Sequence, residues 1–269
     1  MEAAVAEAGK SRDLLVFGAT GIEWLAWAGN GSFAPPAAIV PPSPPPATPI
    51  VDAETLDVDG DGDDDVIYAT QSHVFLVINS AGGSSWSAPS VVFVPVLPAT
   101  GNLVKLAVTD VDHDGRHDLV IATARHLYLA YNNASTGSFS LSLVADSGDG
   151  IIALDVVDWD RVGAPDAVFA TSNLVAVVTD LAPGRSARSL ANATVVASPN
   201  VISSVINAMV VADFTGDGML DVAVCGNTPT AGYIVVFAAA APSPQLFNTL
   251  TPLGTDVAFV AAHASSATY

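Results

Sequence analysis

The chain has 269 residues, 51% hydrophobic and 13% charged, with 21 Gly and 18 Pro; this mixture suits a folded, turn-rich protein and excludes a disordered one. Eight Lys and Arg against 27 Asp and Glu leave a formal charge of −19 at pH 7, which excludes a nucleic-acid binder working by electrostatics. The single cysteine, Cys225, rules out a disulfide framework and thiolate zinc sites, and the longest apolar stretch, Tyr233 to Pro242, is too short for the roughly 18–20 residues of a membrane-spanning helix.

At the N-terminus Glu2 and Glu7 interrupt any apolar run. No secretion signal is legible there, and residues 1–12 read as a tail before one domain, 13–269. The first predicted strand starts at Asp13 and runs through Leu14-Leu15-Val16-Phe17, followed by a hairpin turn at Asn30-Gly31 with Phe33 at its exit. The run from Pro35 to Pro49 reads as a stiff connection to Ile50, with docking of a proline-reading domain as the alternative. Next comes an acidic cluster, Asp57 to Asp65, and a strand Val66-Ile67-Tyr68-Ala69-Thr70. A third strand, Val74 to Ile78, and a Gly-Ser-Ser-Trp turn at 83–86 follow. The order then repeats. The strand Asn102 to Thr109 enters the cluster Asp110 to Asp118, and Leu119 to Thr123 leaves it, before His126 to Ala130 and a Gly137-Ser138-Phe139 turn. Farther on, Ile206 to Ala212 enters Asp213 to Asp221, and Val222-Ala223-Val224 leaves it.

The three clusters share the pattern D-x-[DT]-x-D-G-x-x-D. Acids at positions 1, 3 and 5 converge only if the chain coils tightly, and glycine at position 6 permits the positive φ that such a coil needs. Calcium takes six to eight oxygen ligands at about 2.3–2.6 Å, so these side chains suit it, together with a carbonyl at position 7 from Asp63, Arg116 or Met219 and a carboxylate at position 9. Packing so many acids together costs repulsion that a cation relieves. An EF-hand is excluded, because position 12 holds Tyr68, Ile121 or Val224 in place of a bidentate acid and the flanks read as strands.

Asp13, Asp65, Asp118, Asp166 and Asp221 mark a repeat of 52, 53, 48 and 55 residues, a spacing that points to propeller blades. The expected fold is therefore an all-β propeller of four-stranded blades. Its five blades would be closed by a C-terminal first strand, Thr255 to His263, because the chain opens without one; a fragment of a seven-bladed ring is the alternative. In the fourth loop, Asp158 to Asp166, Val156 is read in the place of the first acid, with an insertion around Gly163-Ala164-Pro165, so that loop stands outside the calcium set.

These loops and the Gly-x-aromatic turns resemble the FG-GAP/VCBS repeat family, as in integrin-α-type propellers, over about residues 13–263. The resemblance implies calcium held between the first and second strands of a blade. Its side-chain ligands would be Asp57, Asp59, Asp61 and Asp65; Asp110, Asp112, Asp114 and Asp118; and Asp213, Thr215, Asp217 and Asp221. About three calcium ions are expected, in a non-catalytic recognition or adhesion module that binds a glycan or a protein. The calcium levels such loops need place the module outside the cell or on its surface.

The rival reading is a carbohydrate-active lyase or hydrolase, which needs a pair of carboxylates at about 5–10 Å. The acids outside the loops, Glu23, Asp52, Glu54, Asp146, Asp149, Asp180 and Asp256, show no such partnership in sequence. His113 and His117 are expected to be solvated, and Trp24, Trp27, Trp86 and Trp159 to pack within blades, with sugar stacking as the alternative.

Overall fold

Short β-branched runs broken by Gly, Asn and Asp turns have no helical period to follow, and they fold as antiparallel sheets. The computed structural model describes residues 2–5, 13–18, 21–29, 31–40, 49–80, 83, 85–93, 102–132, 138–148, 150–172, 174–181, 188–189, 194–197, 205–227 and 232–238, and contains no helix among them. The predicted C-terminal strand, Thr255 to His263, lies outside the described residues, as does most of the proline run.

Sheet 1 holds β1 (Glu2–Val5), β2 (Leu14–Gly18) and β3 (Gly21–Leu25); after a ribbon of β4 (Trp27–Gly29) and β5 (Ser32–Phe33), β6 (Ala37–Val40) completes it. Sheet 2 holds β7 (Ile50–Leu56), β8 (Asp65–Thr70) and β9 (Val74–Val77), then a ribbon of β10 (Asn79–Ser80) and β11 (Ser85–Trp86), then β12 (Ser90–Phe93). Sheet 3 is β13 (Leu103–Thr109), β14 (Asp118–Thr123), β15 (His126–Asn132) and β16 (Phe139–Asp146). Sheet 4 is β17 (Ile151–Val157), β18 (Asp166–Thr171) and β19 (Val175–Val178). After them β20 (Arg188–Ser189) crosses back to run parallel to β16, and β21 (Thr194–Ala197) closes sheet 4. Sheet 5 comprises β22 (Val205–Ala212), β23 (Asp221–Asn227) and β24 (Gly232–Phe237).

Residues 2–5, expected as a tail, are instead paired. Glu2 lies opposite Phe17 and Val5 opposite Leu14, so β1 takes the first-strand place in sheet 1 that the C-terminal segment was expected to fill. An Ala-rich tetrapeptide carries little strand signal of its own; the free edge of β2 supplies it.

The repeat is visible in register as well as in order. In sheets 2 to 5 the pairing of first and second strands slips by one residue at the same place, between Ile50 and Asp52, Leu103 and Lys105, Ile151 and Ala153, and Ile206 and Ala208. A bulge at one fixed position turns these four first strands alike. The threonine that ends the second strand has a local task too: in the turns that follow, the amides of His73 and His126 donate to the hydroxyls of Thr70 and Thr123.

The second strands of sheets 2, 3 and 4 are buried on both faces, which explains why they read as unbroken apolar runs. Alternate residues enter different cores. Val66 and Tyr68 pack with Leu15 and Trp24 of sheet 1, while Ile67 and Ala69 pack with Leu119 and Ile121 of sheet 3. Val120 and Ala122 meet Ala167 and Phe169, and Val168 and Ala170 meet Val222 and Val224. Among the described residues four cores therefore lie between five sheets standing side by side, sheets 2, 3 and 4 each serving two neighbours and sheets 1 and 5 one. Burying one such side chain is worth roughly 1.5–3 kcal/mol. The first strands add polar ties: Lys105 Nζ lies 2.8 Å from Asp52, whose other oxygen accepts from Leu106 N at 2.7 Å, and Asp155 accepts from Val211 N at 3.3 Å.

Candidate metal sites on the loop rim

The loop between first and second strands occurs four times, and one buried carboxylate sets its frame. In loop I, Asp65 accepts from Val58 N at 2.9 Å and from Asn79 N at 2.7 Å, tying the loop to the third strand's exit. In loop II, Asp118 accepts from Val111 N and Asn132 N, both at 2.9 Å. In loop III, Asp166 accepts from Trp159 N at 2.8 Å and Asp180 N at 2.6 Å, and in loop IV Asp221 accepts from Phe214 N at 2.9 Å. Even Asp13 follows this rule, accepting from Trp27 N at 2.6 Å, fourteen residues on. The repeat markers read from the sequence are thus one structural part used five times. Burial lifts the Asp65 carboxyl to about 6 against the pull of its two hydrogen bonds, and it raises Asp118 and Asp166 as well.

This clamp corrects the reading of loop III. Asp166 reaches back seven residues to Trp159, as Asp65 reaches Val58, so the first acid is Asp158 and no insertion is needed. The position that lacks its acid is the fifth, Val162, which is 69% exposed. Backbone geometry agrees: positions 4 and 6 have positive φ in all four loops, through Gly60 and Gly62, His113 and Gly115, Arg161 and Gly163, and Gly216 and Gly218. The glycine at position 6, and not the spacing between acids, carries the register of the loop.

The outer acids coil the loop around themselves. Asp57 accepts from Gly60 N at 2.7 Å and Gly62 N at 3.0 Å, Asp110 from Asp114 N and Gly115 N, and Asp213 from Gly216 N and Gly218 N. The acid at position 5 then holds position 7: Asp61 accepts from Asp63 N, Asp114 from Arg116 N and Asp217 from Met219 N. As a result three carboxylates offer oxygens within 4.8 Å of one another in loop I (Asp57, Asp59, Asp61), loop II (Asp110, Asp112, Asp118) and loop III (Asp158, Asp160, Asp166). Asp65 is not part of the loop I group, and Asp114 is paired with Arg116, whose Nε also donates to Asn132 O at 2.7 Å. Loop IV gathers no such trio among the described residues; Thr215 stands at its third position. An all-oxygen donor set crowded into one turn fits a hard divalent cation such as calcium.

The four loops adjoin one another along one rim. Asn132 Nδ2 donates to Val58 O at 3.0 Å, and His117 lies close enough to Asp64 to pull its pKa down against the dominant upward push of burial. His113 Nε2 is 3.4 Å from Gly163 O, so this histidine touches the next loop where solvation alone was expected.

Two of the acids considered for catalysis are committed elsewhere. Asp52 is tied to Lys105 and Leu106, and Asp146 to Arg125, while Asp149 and Asp256 lie outside the described residues. Of the tryptophans, Trp24 is in the core and meets Trp86 at a tilt with ring centroids 5.7 Å apart, and Trp159 packs on the core between sheets 4 and 5. Trp27 meets the exposed Phe33 edge-on at 5.1 Å on the outer ribbon.

Comparison with known proteins accords with this architecture. A family model described as an FG-GAP-like repeat matches residues 10–68 and 57–121, which run from β2 into β14 and include loops I and II. No curated protein matches the chain. Among solved structures, an Agrocybe aegerita lectin, described by its specific recognition of non-reducing terminal N-acetylglucosamine, aligns at 18% identity with a TM-score of 0.60. The alignment takes in 94% of this chain and spans 66% of the lectin's. The likeness is one of fold, all-β and of the propeller kind. BBS1N, from its complex with ARL6DN soaked with lead, aligns at 14% identity over 75% of this chain and 56% of its own, and its TM-score of 0.46 carries no argument. No helix among the described residues is long and apolar enough to cross a membrane.

Proposed function

We propose that this chain, a member of the FG-GAP-like repeat family, is a calcium-stabilised, non-catalytic recognition module that binds a glycan. The observation that carries the calcium reading is the gathering of three carboxylates within 4.8 Å in each of loops I, II and III. Asp57, Asp59 and Asp61 would hold one ion, Asp110, Asp112 and Asp118 a second, and Asp158, Asp160 and Asp166 a third. Asp213, Thr215, Asp217 and Asp221 repeat the motif for a fourth. Glycan binding is favoured by the fold shared with a lectin and by the exposed Phe33 beside the half-buried Trp27, whose aromatic surfaces suit the apolar faces of sugars.

Calcium loops of extracellular modules work at about 10⁻⁴–10⁻³ M, and affinity in that range would favour a location outside the cell or on its surface. At tenfold saturation each ion stabilises the fold by about 1.4 kcal/mol, a sizeable share of a net stability of about 5–15 kcal/mol. Thermal melting with calcium and with a chelator tests this: a large fall in Tm on chelation supports the reading, and an unchanged Tm overturns it. A glycan array in calcium buffer tests the partner. Retained, unaltered ligand supports a lectin; turnover of an array hit supports an enzyme instead.

The scaffold is a propeller whose two end faces close the ring. On sheet 5, Val210 is 41% and Phe214 48% exposed, whereas Ala107 and Val58, at the same places in earlier sheets, are buried by the sheet that follows. Leu14 and Val16 on sheet 1 are half-buried, whereas Val66 and Tyr68 are buried. Small-angle scattering that fits a compact disc supports closure; an open crescent overturns it.

A further inference from the structure

Positions 4 of the four loops differ in one respect. Loops I and IV place glycine there, Gly60 and Gly216, where positive φ is free of steric cost. Loops II and III place His113 (φ 59°) and Arg161 (φ 61°) in the same left-handed conformation, which costs a residue with a Cβ about 1–2 kcal/mol. Both side chains go to the same place on the following loop. His113 Nε2 donates to the carbonyl of Gly163, the position 6 glycine of loop III. The Arg161 guanidinium lies against Gly218, the position 6 glycine of loop IV, 3.7 Å from where a Cβ would stand. Loop I, with no side chain at position 4, is joined to loop II by a different route, Asn132 to Val58 O.

We infer that His113 and Arg161 are positioning residues that couple ion binding between neighbouring loops, so that filling one loop raises the affinity of the next. The inference rests on the calcium reading above and adds to it a direction along the rim. An ion in loop II is held by acids on either side of position 4, Asp112 and Asp118 among them, and so fixes His113 in its left-handed state. His113 then steadies the glycine on which loop III coils. An ion in loop III fixes Arg161 in the same way, and its guanidinium then packs against the glycine on which loop IV coils. The ordering cost of the second loop is partly met by the first, which is positive cooperativity without any new ligand. Linkage makes the effect reciprocal.

Calcium titration calorimetry on the intact chain, alongside His113→Gly and Arg161→Gly, tests the inference. Glycine suits the positive φ, so both variants keep the fold. The unmodified protein is expected to bind cooperatively, with loops III and IV gaining about fivefold or more in affinity once their predecessors are filled. Each glycine variant should lose the coupling at its own junction, and Arg161→Lys should retain it. A second readout uses no metal: in calcium-free protein, Arg161→Gly should speed amide hydrogen exchange at Gly218 and Met219 severalfold while leaving Gly60 and Gly62 unchanged. Calcium uptake with the same isotherm in all variants overturns the coupling alone. Absence of uptake by the unmodified protein overturns the calcium reading and the coupling with it.

Discussion

Each loop contains two kinds of carboxylate, and the contrast separates what the fold needs from what an ion would need. At the floor, Asp65, Asp118, Asp166 and Asp221 are buried, and their oxygens accept backbone amides from the loop and, in the first three, also from the third strand's exit. At the mouth, acids such as Asp61, Asp112 and Asp160 are exposed and crowd against like charges. The floor acids are fold parts, since Asp13 performs the same task in sheet 1, and only Asp118 and Asp166 among them also join a carboxylate trio. The mouth acids cost repulsion and cap only local turns, which agrees with the ion proposed for them.

Mutations can break this contrast in order of expected effect. Asp65→Ala strands the buried amides of Val58 and Asn79 and should cost about 3 kcal/mol, measured by urea unfolding, with and without calcium alike. Asp59→Asn should leave chelated protein unchanged but remove one ion's stabilisation, about 1.4 kcal/mol, when calcium is present. A loss from Asp59→Asn in chelator as large as in calcium would erase the distinction.

Glu54 belongs to neither group and sharpens both. On β7 it is pushed up from 4.5 to about 8, by burial first and by Asp52 and Asp155 after, with Lys105 pulling the other way. Its folded pKa lies above its unfolded one, so stability should fall as pH rises from about 4.5 to about 8, by up to about 1.4 kcal/mol per pH unit. Glu54→Gln should flatten that slope, independently of calcium, in unfolding curves taken across this window. Smallest of all, Val162→Asp supplies the acid that loop III lacks and should tighten calcium binding there a few-fold by calorimetry, with little change in ion-free stability.

Much of this was legible in the chain. The all-β class, the order of strands and the three D-x-[DT]-x-D-G-x-x-D loops follow from local chemistry: apolar runs, turn glycines and clustered acids. Loop III was misread because Val162 removes an acid and the eye then seeks the next one upstream, whereas the backbone counts from Gly163. The strand at Glu2–Val5 carries no strand propensity of its own and exists through its pairing with β2. The double role of the ninth position needed the amide fourteen residues on, and the Asp52–Lys105 tie spans two sheets; spacing within one motif reports neither.

The most direct test of the account is a count of bound metal. Equilibrium dialysis of the purified chain against millimolar calcium, followed by atomic absorption, should find three or four calcium ions per chain, falling by one in Asp59→Asn. A count of zero would contradict the assignment of the mouth acids to an ion.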